Sequence, residues 1–297
     1  MSGSEAALLT VDSDRAPSTE AWVIEPARVG LLNYLREFWR YRRIIWFFGA
    51  KTVARMYQRT FLGRFWLLAR PLAPLVISTL IFGGLLGIPS EGVPYFLFFL
   101  TGTTTWILFE QALLWVTRSL DMHKGLIKKV YFPRMVVPVS AVTPGLVYFA
   151  VYVSILVLTL LYFRVVDGQS YLVVSLGLLA AVGAAGLAIL FAIAVGLWTS
   201  VWQARARDVR FTLRYVLRFW FYLTPVIYPL SQVPEQYRGW AFVNPMAVVV
   251  ETFKWGTIGI GDFYPRGLLI TLGVILIVLL GGIWYFTKVE AASVDRM

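Results

Sequence analysis

Six stretches between residues 71 and 287 are apolar over lengths close to the roughly 20 residues that a helix needs to cross a bilayer. Lipid offers no partners to backbone polar groups, so such stretches must satisfy their own, and helices do so within one segment. The first, 71–88, reads PLAPLVISTLIFGGLLGI, and Pro71 suits a first helical turn. The others are 94–117, about 135–163, about 171–200, 213–230 and 267–287. The fifth is the weakest. It holds Arg214 and Arg218, which can snorkel from its cytoplasmic end, and Pro225 and Pro229 limit its length. Composition agrees: 59% of residues are hydrophobic and 14% charged, against about 25% charged in soluble domains.

Lysine and arginine set the orientation. They crowd into 26–70, the loops 118–134 and 201–218, and the two tails. Of the 27 present, only Arg164, Arg238, Lys254 and Arg266 fall on the other side. Six spans with both termini in the cytoplasm satisfy this split. The net charge of +11 is then a topology signal rather than a nucleic-acid footprint. The expected organisation is a disordered cytoplasmic tail over 1–25, an interface helix and connector over 26–70, a transmembrane domain over 71–288, and a cytoplasmic tail over 289–297. The first 25 residues are polar and lack the apolar core of a signal peptide.

Residues 31–48 place Leu31, Leu35, Phe38, Tyr41, Ile45 and Phe48 on one helical face, with Asn33, Arg36, Glu37, Arg40 and Arg43 largely opposite. With Trp39 and Trp46 near the boundary, this predicts an amphipathic helix lying in the membrane interface. On the outer side, 240–258 is apolar enough to enter the membrane but contains Asn244, Pro245, Glu251 and Lys254. It reads as a re-entrant or interfacial hairpin, the alternative being an ordinary amphipathic loop. The predicted fold is an all-α membrane protein: an N-terminal amphipathic interface helix, six transmembrane helices, and a re-entrant outer hairpin between helices five and six.

The chemistry of catalysis is missing from the sequence. There is no cysteine and a single histidine, His123. No Gly-rich loop precedes a Gly-Lys-Ser/Thr, so the chain has no phosphate-binding loop for ATP. No nucleophile elbow and no metal-ligand cluster occurs, so no catalytic and no metal residue is expected. Glu110 is an intramembrane carboxylate, and ionisable groups at that depth are functional candidates. Trp106, Phe109 and Glu110 are three and four residues apart, which puts them on roughly one helix face. Trp115, Phe219, Phe221 and Tyr222 also lie inside spans. Aromatic faces pack against the C–H faces of sugar rings, so a slot lined this way can pass a glycan. The alternative is that these rings only pack the protein and meet lipid. Gly83 with Gly87, and Gly183 with Gly186, are spaced to let helices approach closely.

Several segments together resemble a known family. ARMYQRTFLGRFWLLARPL (54–72) is similar to the approach to the first span in permeases of type-2 ABC exporters, with Tyr57, Arg59, Thr60, Leu62, Gly63, Phe65, Trp66 and Pro71 matching. Met56 and Gln58 depart where basic residues are usual. LIKKVYFPRMVVPVS (126–140) resembles the loop after the second span, with Lys128, Lys129, Phe132, Pro133, Arg134 and Pro138 in place. Ala204-Arg205-Ala206-Arg207-Asp208 resembles the turn after the fourth, Ala206 standing where Tyr is common. Thr224–Pro229 and Asn244-Pro245-Met246 match the end of the fifth span and the piece that follows, and 286–295 is similar to the family ending.

The resemblance covers about residues 30–295, and the nearest branch exports O-antigen, capsule or teichoic acid. It implies a homodimeric permease in the cytoplasmic (inner) membrane, moving a lipid-linked glycan outward. It also implies two copies of a separate ATPase subunit that bind ATP and magnesium, with no cofactor on this chain. Lys128, Lys129, Phe132, Pro133, Arg134, Arg205, Arg207 and Asp208 are then expected to couple to that ATPase. Trp106, Phe109, Glu110, Phe219, Tyr222 and Tyr228 are expected along the substrate path. Trp39, Arg40, Arg43, Trp46, Tyr57, Arg59, Gly63 and Trp66 are expected at the membrane interface with its lipids. The competing readings are a drug or small-molecule exporter of the same family, an ATP-independent flippase, and a membrane glycosyltransferase. The flippase needs a charge relay for which only Glu110 is at hand, and the transferase needs an acidic cluster that the sequence lacks.

Overall fold

The computed structural model describes residues 41–56, 66–127 and 133–294, and the regular elements among them are helices. In chain order these are α1 (Arg42–Met56), α2 (Trp66–Ser78, running into a π-helical turn at Thr79–Leu85) and α3 (Tyr95–Ile127). Then come α4 (Val136–Ser140), α5 (Thr143–Val166) and α6 (Gly177–Arg205). The last four are α7 (Val209–Leu223), α8 (Glu235–Ala241), α9 (Pro245–Ile258) and α10 (Pro265–Val294).

Among the described residues, four segments are long and apolar enough to cross a membrane: Tyr95–Gly125, Val136–Val166, Gly177–Arg205 and Pro265–Val289. They coincide with the second, third, fourth and sixth predicted spans. The first and fifth predicted spans are shorter as helices. Pro71–Leu85 is an apolar helix below spanning length, with Pro71 and Pro74 inside it. The stretch 213–230 is not one helix. α7 stops at Leu223, Thr224 is extended, and Pro225 removes the next backbone donor. At 1.5 Å per residue, the 15 residues of α7 reach about 22 Å.

α3 is the axis of the fold. The most apolar part of α3 is 78% buried, against 28–39% for the other three long segments, which leave one side bare. α5, α6 and α9 pack around it. Three of its buried threonines find partners, whereas the hydroxyls of Thr103 and Thr105 are enclosed without one. Thr101 and Thr104 donate to the carbonyls of Leu97 and Leu100 at 2.7 Å, and Thr117 shares a 2.7 Å bond with Thr199 of α6. Close approach is granted by two glycines: a Cβ on Gly145 of α5 would lie 2.8 Å from the backbone of Ala112, and one on Gly196 of α6 would lie 2.3 Å from the Val116 side chain. Gly183 and Gly186, singled out by their spacing, face open space within the chain, and Gly83 meets Tyr95.

α1 extends the predicted interface helix to Met56, and only its 41–48 part falls within the described residues. Tyr41, Ile44, Ile45 and Phe48 pack on Val136 and Val137 of α4, so this apolar face meets protein rather than lipid alone. The Phe48 ring stands edge-on to His123 at 5.1 Å. Trp46 and Arg43 are exposed.

The segment 240–258, expected on the outer side, is more regular than the sequence suggests. α9 is an unbroken helix whose Asn244 cap accepts from the Met246 N–H at 3.0 Å, with Pro245 at its start and Gly259 closing it at φ 69°. The break falls before it, between α8 and α9. All of α9 except Trp255 is buried, so its polar groups are covered by protein.

Candidate functional site

A cleft of about 620 Å³ opens between α2, α3, α5 and α7. Pro71, Pro74 and Ser78 form the α2 side. Trp106 and Glu110, one turn apart on α3, form the back, with Gln111 beside them. Tyr148 and Tyr152, again one turn apart, come from α5. α7 contributes Arg214, Arg218, Phe221 and Tyr222.

The site is held by ring contacts and one directed bond. Trp106 Nε1–H donates to Glu110 Oε2 at 3.1 Å. The Trp106 ring meets Phe221 edge-on at 5.5 Å and Trp220 at 6.4 Å, which fixes α7 against α3. Trp106 is only 2% exposed, so it presents little more than an edge to the cleft. The Glu110 carboxylate thus has a built-in donor, and Arg218 on the facing helix lies close enough for its charge to act on it.

Of the residues expected along a path, Trp106, Glu110 and Tyr222 line this cleft together. Phe109 does not. Residues advance by about 100° around a helix, so positions 109 and 110 diverge although each neighbours 106. Phe109 turns away, stacks on Phe191 of α6 at 5.2 Å and is fully buried. Phe219 is 69% exposed on another face of α7. Tyr228 lies past the end of α7, its hydroxyl donating to the Tyr222 carbonyl at 3.3 Å.

Two pairs among the lining residues that went unremarked as site residues in the sequence stand out, Tyr148 with Tyr152 and Arg214 with Arg218. Each pair has i, i+4 spacing, which was the available signal. The tyrosines passed as part of a long apolar stretch, and the arginines passed as a topology signal.

The residues expected to couple to a partner lie at the arginine-rich end. α6 ends at Arg205, Ala206 is extended, and Asp208 precedes α7, with Arg205, Arg207 and Asp208 exposed. Pro133 is buried at the start of the next segment and Arg134 is half-buried. Lys128, Lys129 and Phe132 lie outside the described residues, as do Trp39, Arg40, Tyr57, Arg59 and Gly63. Trp66 is the first residue of α2. One side chain joins the roots of the two expected coupling segments. Gln203 donates to Asp121 Oδ2 at 2.9 Å and accepts from the Arg210 N–H at 2.9 Å, clamping the ends of α3 and α6 to the start of α7.

Aromatic edges, tyrosine hydroxyls and one carboxylate suit a polyhydroxylated ligand, and the arginines suit an anionic one.

The chain is similar to the O-antigen export system permease protein RfbA of Myxococcus xanthus, at 24% identity over 229 residues, covering 75% of this chain and 84% of the relative. It is also similar to an RfbA of Klebsiella pneumoniae, at 26% identity over 224 residues, covering 73% and 83%. The family model described as ABC-2 type transporter matches residues 43–257. That match runs from α1 into α9 and takes in the whole cleft, and the chain belongs to the ABC-2 type transporter family of membrane permeases.

Proposed function

We propose that this chain is the transmembrane subunit of an exporter that carries a lipid-linked polysaccharide, of O-antigen, capsule or teichoic-acid type, outward across the cytoplasmic membrane. Two copies of a separate ATPase subunit supply the hydrolysis and hold ATP with magnesium, and two copies of this chain form the conduit. The observation that carries the reading is the cleft itself. Trp106, Tyr148, Tyr152, Phe221 and Tyr222 surround one carboxylate in a space of about 620 Å³, in a chain similar to permeases named for O-antigen export.

In this reading α2 and α7 cross the membrane with the four long helices, giving six spans with both termini cytoplasmic. α8 and α9 dip in from the outer side. The basic end, with Arg205, Arg207, Asp208 and the segment through Arg134, faces the ATPase. α1 lies along the inner interface and packs on α4.

The test is to co-express the chain with its ATPase, purify the complex and measure hydrolysis with and without lipid-linked oligosaccharide. Stimulation by that substrate, and no hydrolysis by the isolated chain, is expected. Stimulation by small amphipathic drugs and none by lipid-linked oligosaccharide would replace this reading with a drug exporter.

A further inference from the structure

α7 carries an arginine row. Arg210, Arg214 and Arg218 recur every four residues, which aligns them along one side of the helix from its first turn to the level of Glu110, and Arg207 stands in the turn just before it. Among the described residues no carboxylate lies within ion-pair contact of Arg210, Arg214 or Arg218, nor of Arg118 facing them from α3, although Glu110 feels the charge of Arg218 and Asp121 acts on Arg118 from a distance. Asp121, the nearest acid at that end, is held by Lys124 at 2.6 Å and by Gln203 at 2.9 Å.

Space exists beside these cations. A second cavity of about 240 Å³ is lined by Arg118 and Arg214 together with Trp115, Met56 and Leu114, and it shares Gln111 and Tyr148 with the main cleft. Arg210 and Arg214 lie close enough for their like charges to act on Arg118. The Arg118 guanidinium stands 5.7 Å from the Trp115 ring and that of Arg210 4.6 Å from Phe211, while the Nε of Arg210 is enclosed with no hydrogen-bond partner. Clustered guanidiniums beside an apolar wall are matched by an oxyanion attached to a greasy chain. Guanidinium forks pair with phosphate oxygens two bonds at a time.

We propose that Arg118 and Arg214, flanked by Arg210 and Arg218, bind the phosphate or diphosphate of a membrane amphiphile where the second cavity joins the cleft. The wall of Met56, Leu114 and Trp115 takes the first part of its hydrocarbon. The proposal rests on the export reading for the side from which the amphiphile arrives. The phosphate ester has two possible sources, the headgroup of an ordinary phospholipid and the linkage between lipid carrier and glycan.

The experiment measures equilibrium binding of a radiolabelled long-chain polyprenyl diphosphate to the full chain in phosphatidylcholine nanodiscs, with the matching polyprenol as control. The diphosphate should bind at least about tenfold more tightly than the alcohol. Arg118→Gln and Arg214→Gln should each weaken it about tenfold, in line with loss of a charge-assisted pair. Arg214→Lys should lose less, because it keeps the charge and the topology signal. Arg266→Gln, at the opposite end, should bind as the wild type. Poor competition by phosphatidylglycerol assigns the site to the lipid–glycan linkage. Competition on equal terms that vanishes in the arginine variants assigns it to a headgroup. Equal affinity for alcohol and diphosphate overturns the proposal, as does wild-type affinity in a monodisperse Arg118→Gln/Arg214→Gln protein. Binding is read without ATP or transport. Arginine-dependent binding without glycan export in cells would therefore sink the export reading alone, and the reverse pattern would sink this site alone.

Discussion

The Nζ of Lys254 donates a 2.6 Å hydrogen bond to the carbonyl oxygen of Pro225, tying α9 to the point where α7 unwinds. The same ammonium lies 3.3 Å from Glu251 Oε1 and 3.9 Å from the centre of the Phe98 ring, and it is 1% exposed. Breaking such a pair leaves the other charge buried, at a cost of about 3–5 kcal/mol, whereas replacing both members by apolar groups is often close to neutral. Lys254→Met should therefore lower the melting temperature of the purified permease sharply, and Lys254→Met/Glu251→Leu should restore most of it. Calorimetry in detergent decides the matter. A double variant as unstable as the single one would contradict the pairing.

Gly196 and Gly145 should tolerate no bulk. Gly196→Leu drives a side chain into Val116, and Gly145→Leu drives one into the Ala112 backbone. Overpacking of this kind costs about 1–3 kcal/mol or more. Gly183→Leu, built into open space, should leave the folded monomer unchanged. Fluorescence-detected size exclusion of the three variants would show two losses and one normal peak, and equal behaviour of all three would refute the packing.

Tyr222 and Phe109 should separate transport from folding. Tyr222 lines the cleft and is exposed, so Tyr222→Ala should reduce glycan export severalfold while the protein accumulates normally. Phe109→Ala empties a fully buried site between Phe191 and Trp220 and should cost about 3–5 kcal/mol of stability. Export per folded permease, measured by surface glycan against protein amount, distinguishes them. Unchanged export in Tyr222→Ala and Trp106→Ala, at normal protein levels, would remove this cleft from the path.

Asn244 should matter beyond its own helix. Its side-chain oxygen accepts from the Met246 N–H and from Trp220 Nε1–H at 2.9 Å, and its amide donates to Thr224 Oγ1 at 3.0 Å. Asn244→Ala removes a cap worth about 1 kcal/mol and leaves the Trp220 donor stranded, for about 1–3 kcal/mol more. Asn244→Asp keeps both acceptors and should be milder. Thermal unfolding that ranks Asp below Ala would contradict this.

Much of the helix pattern was legible, because an apolar stretch long enough to cross lipid is a signal that needs no partner. The reading of the fifth span ran long because hydropathy continues past Leu223, where Thr224 is extended and Pro225 follows, whereas the first helix passes through Pro71 and Pro74 and stops at Leu85, just before Gly87 at φ 61°. The regularity of α9 was hidden for the opposite reason. Glu251 and Lys254 look costly one at a time and become tolerable only through Pro225, Phe98 and each other, which are contacts across the fold. The cleft was half legible. Spacing placed Trp106 and Glu110 together, yet the same arithmetic could not tell which neighbour of Trp106 faces α6. Gly145 and Gly196 carried no pattern at all, since what they meet lies on another helix.

The burial of α3 bears on how the protein is made. It is the least apolar of the four long helices and the most enclosed, and it leaves the ribosome before α5, α6 and α9, which enclose it. During that interval Glu110 and the threonines face whatever surrounds the nascent chain. Synthesis therefore favours a delay, with α3 retained by the insertion machinery until later helices arrive, and a chain cut short before α6 should be a substrate for quality-control proteolysis rather than a stable fragment.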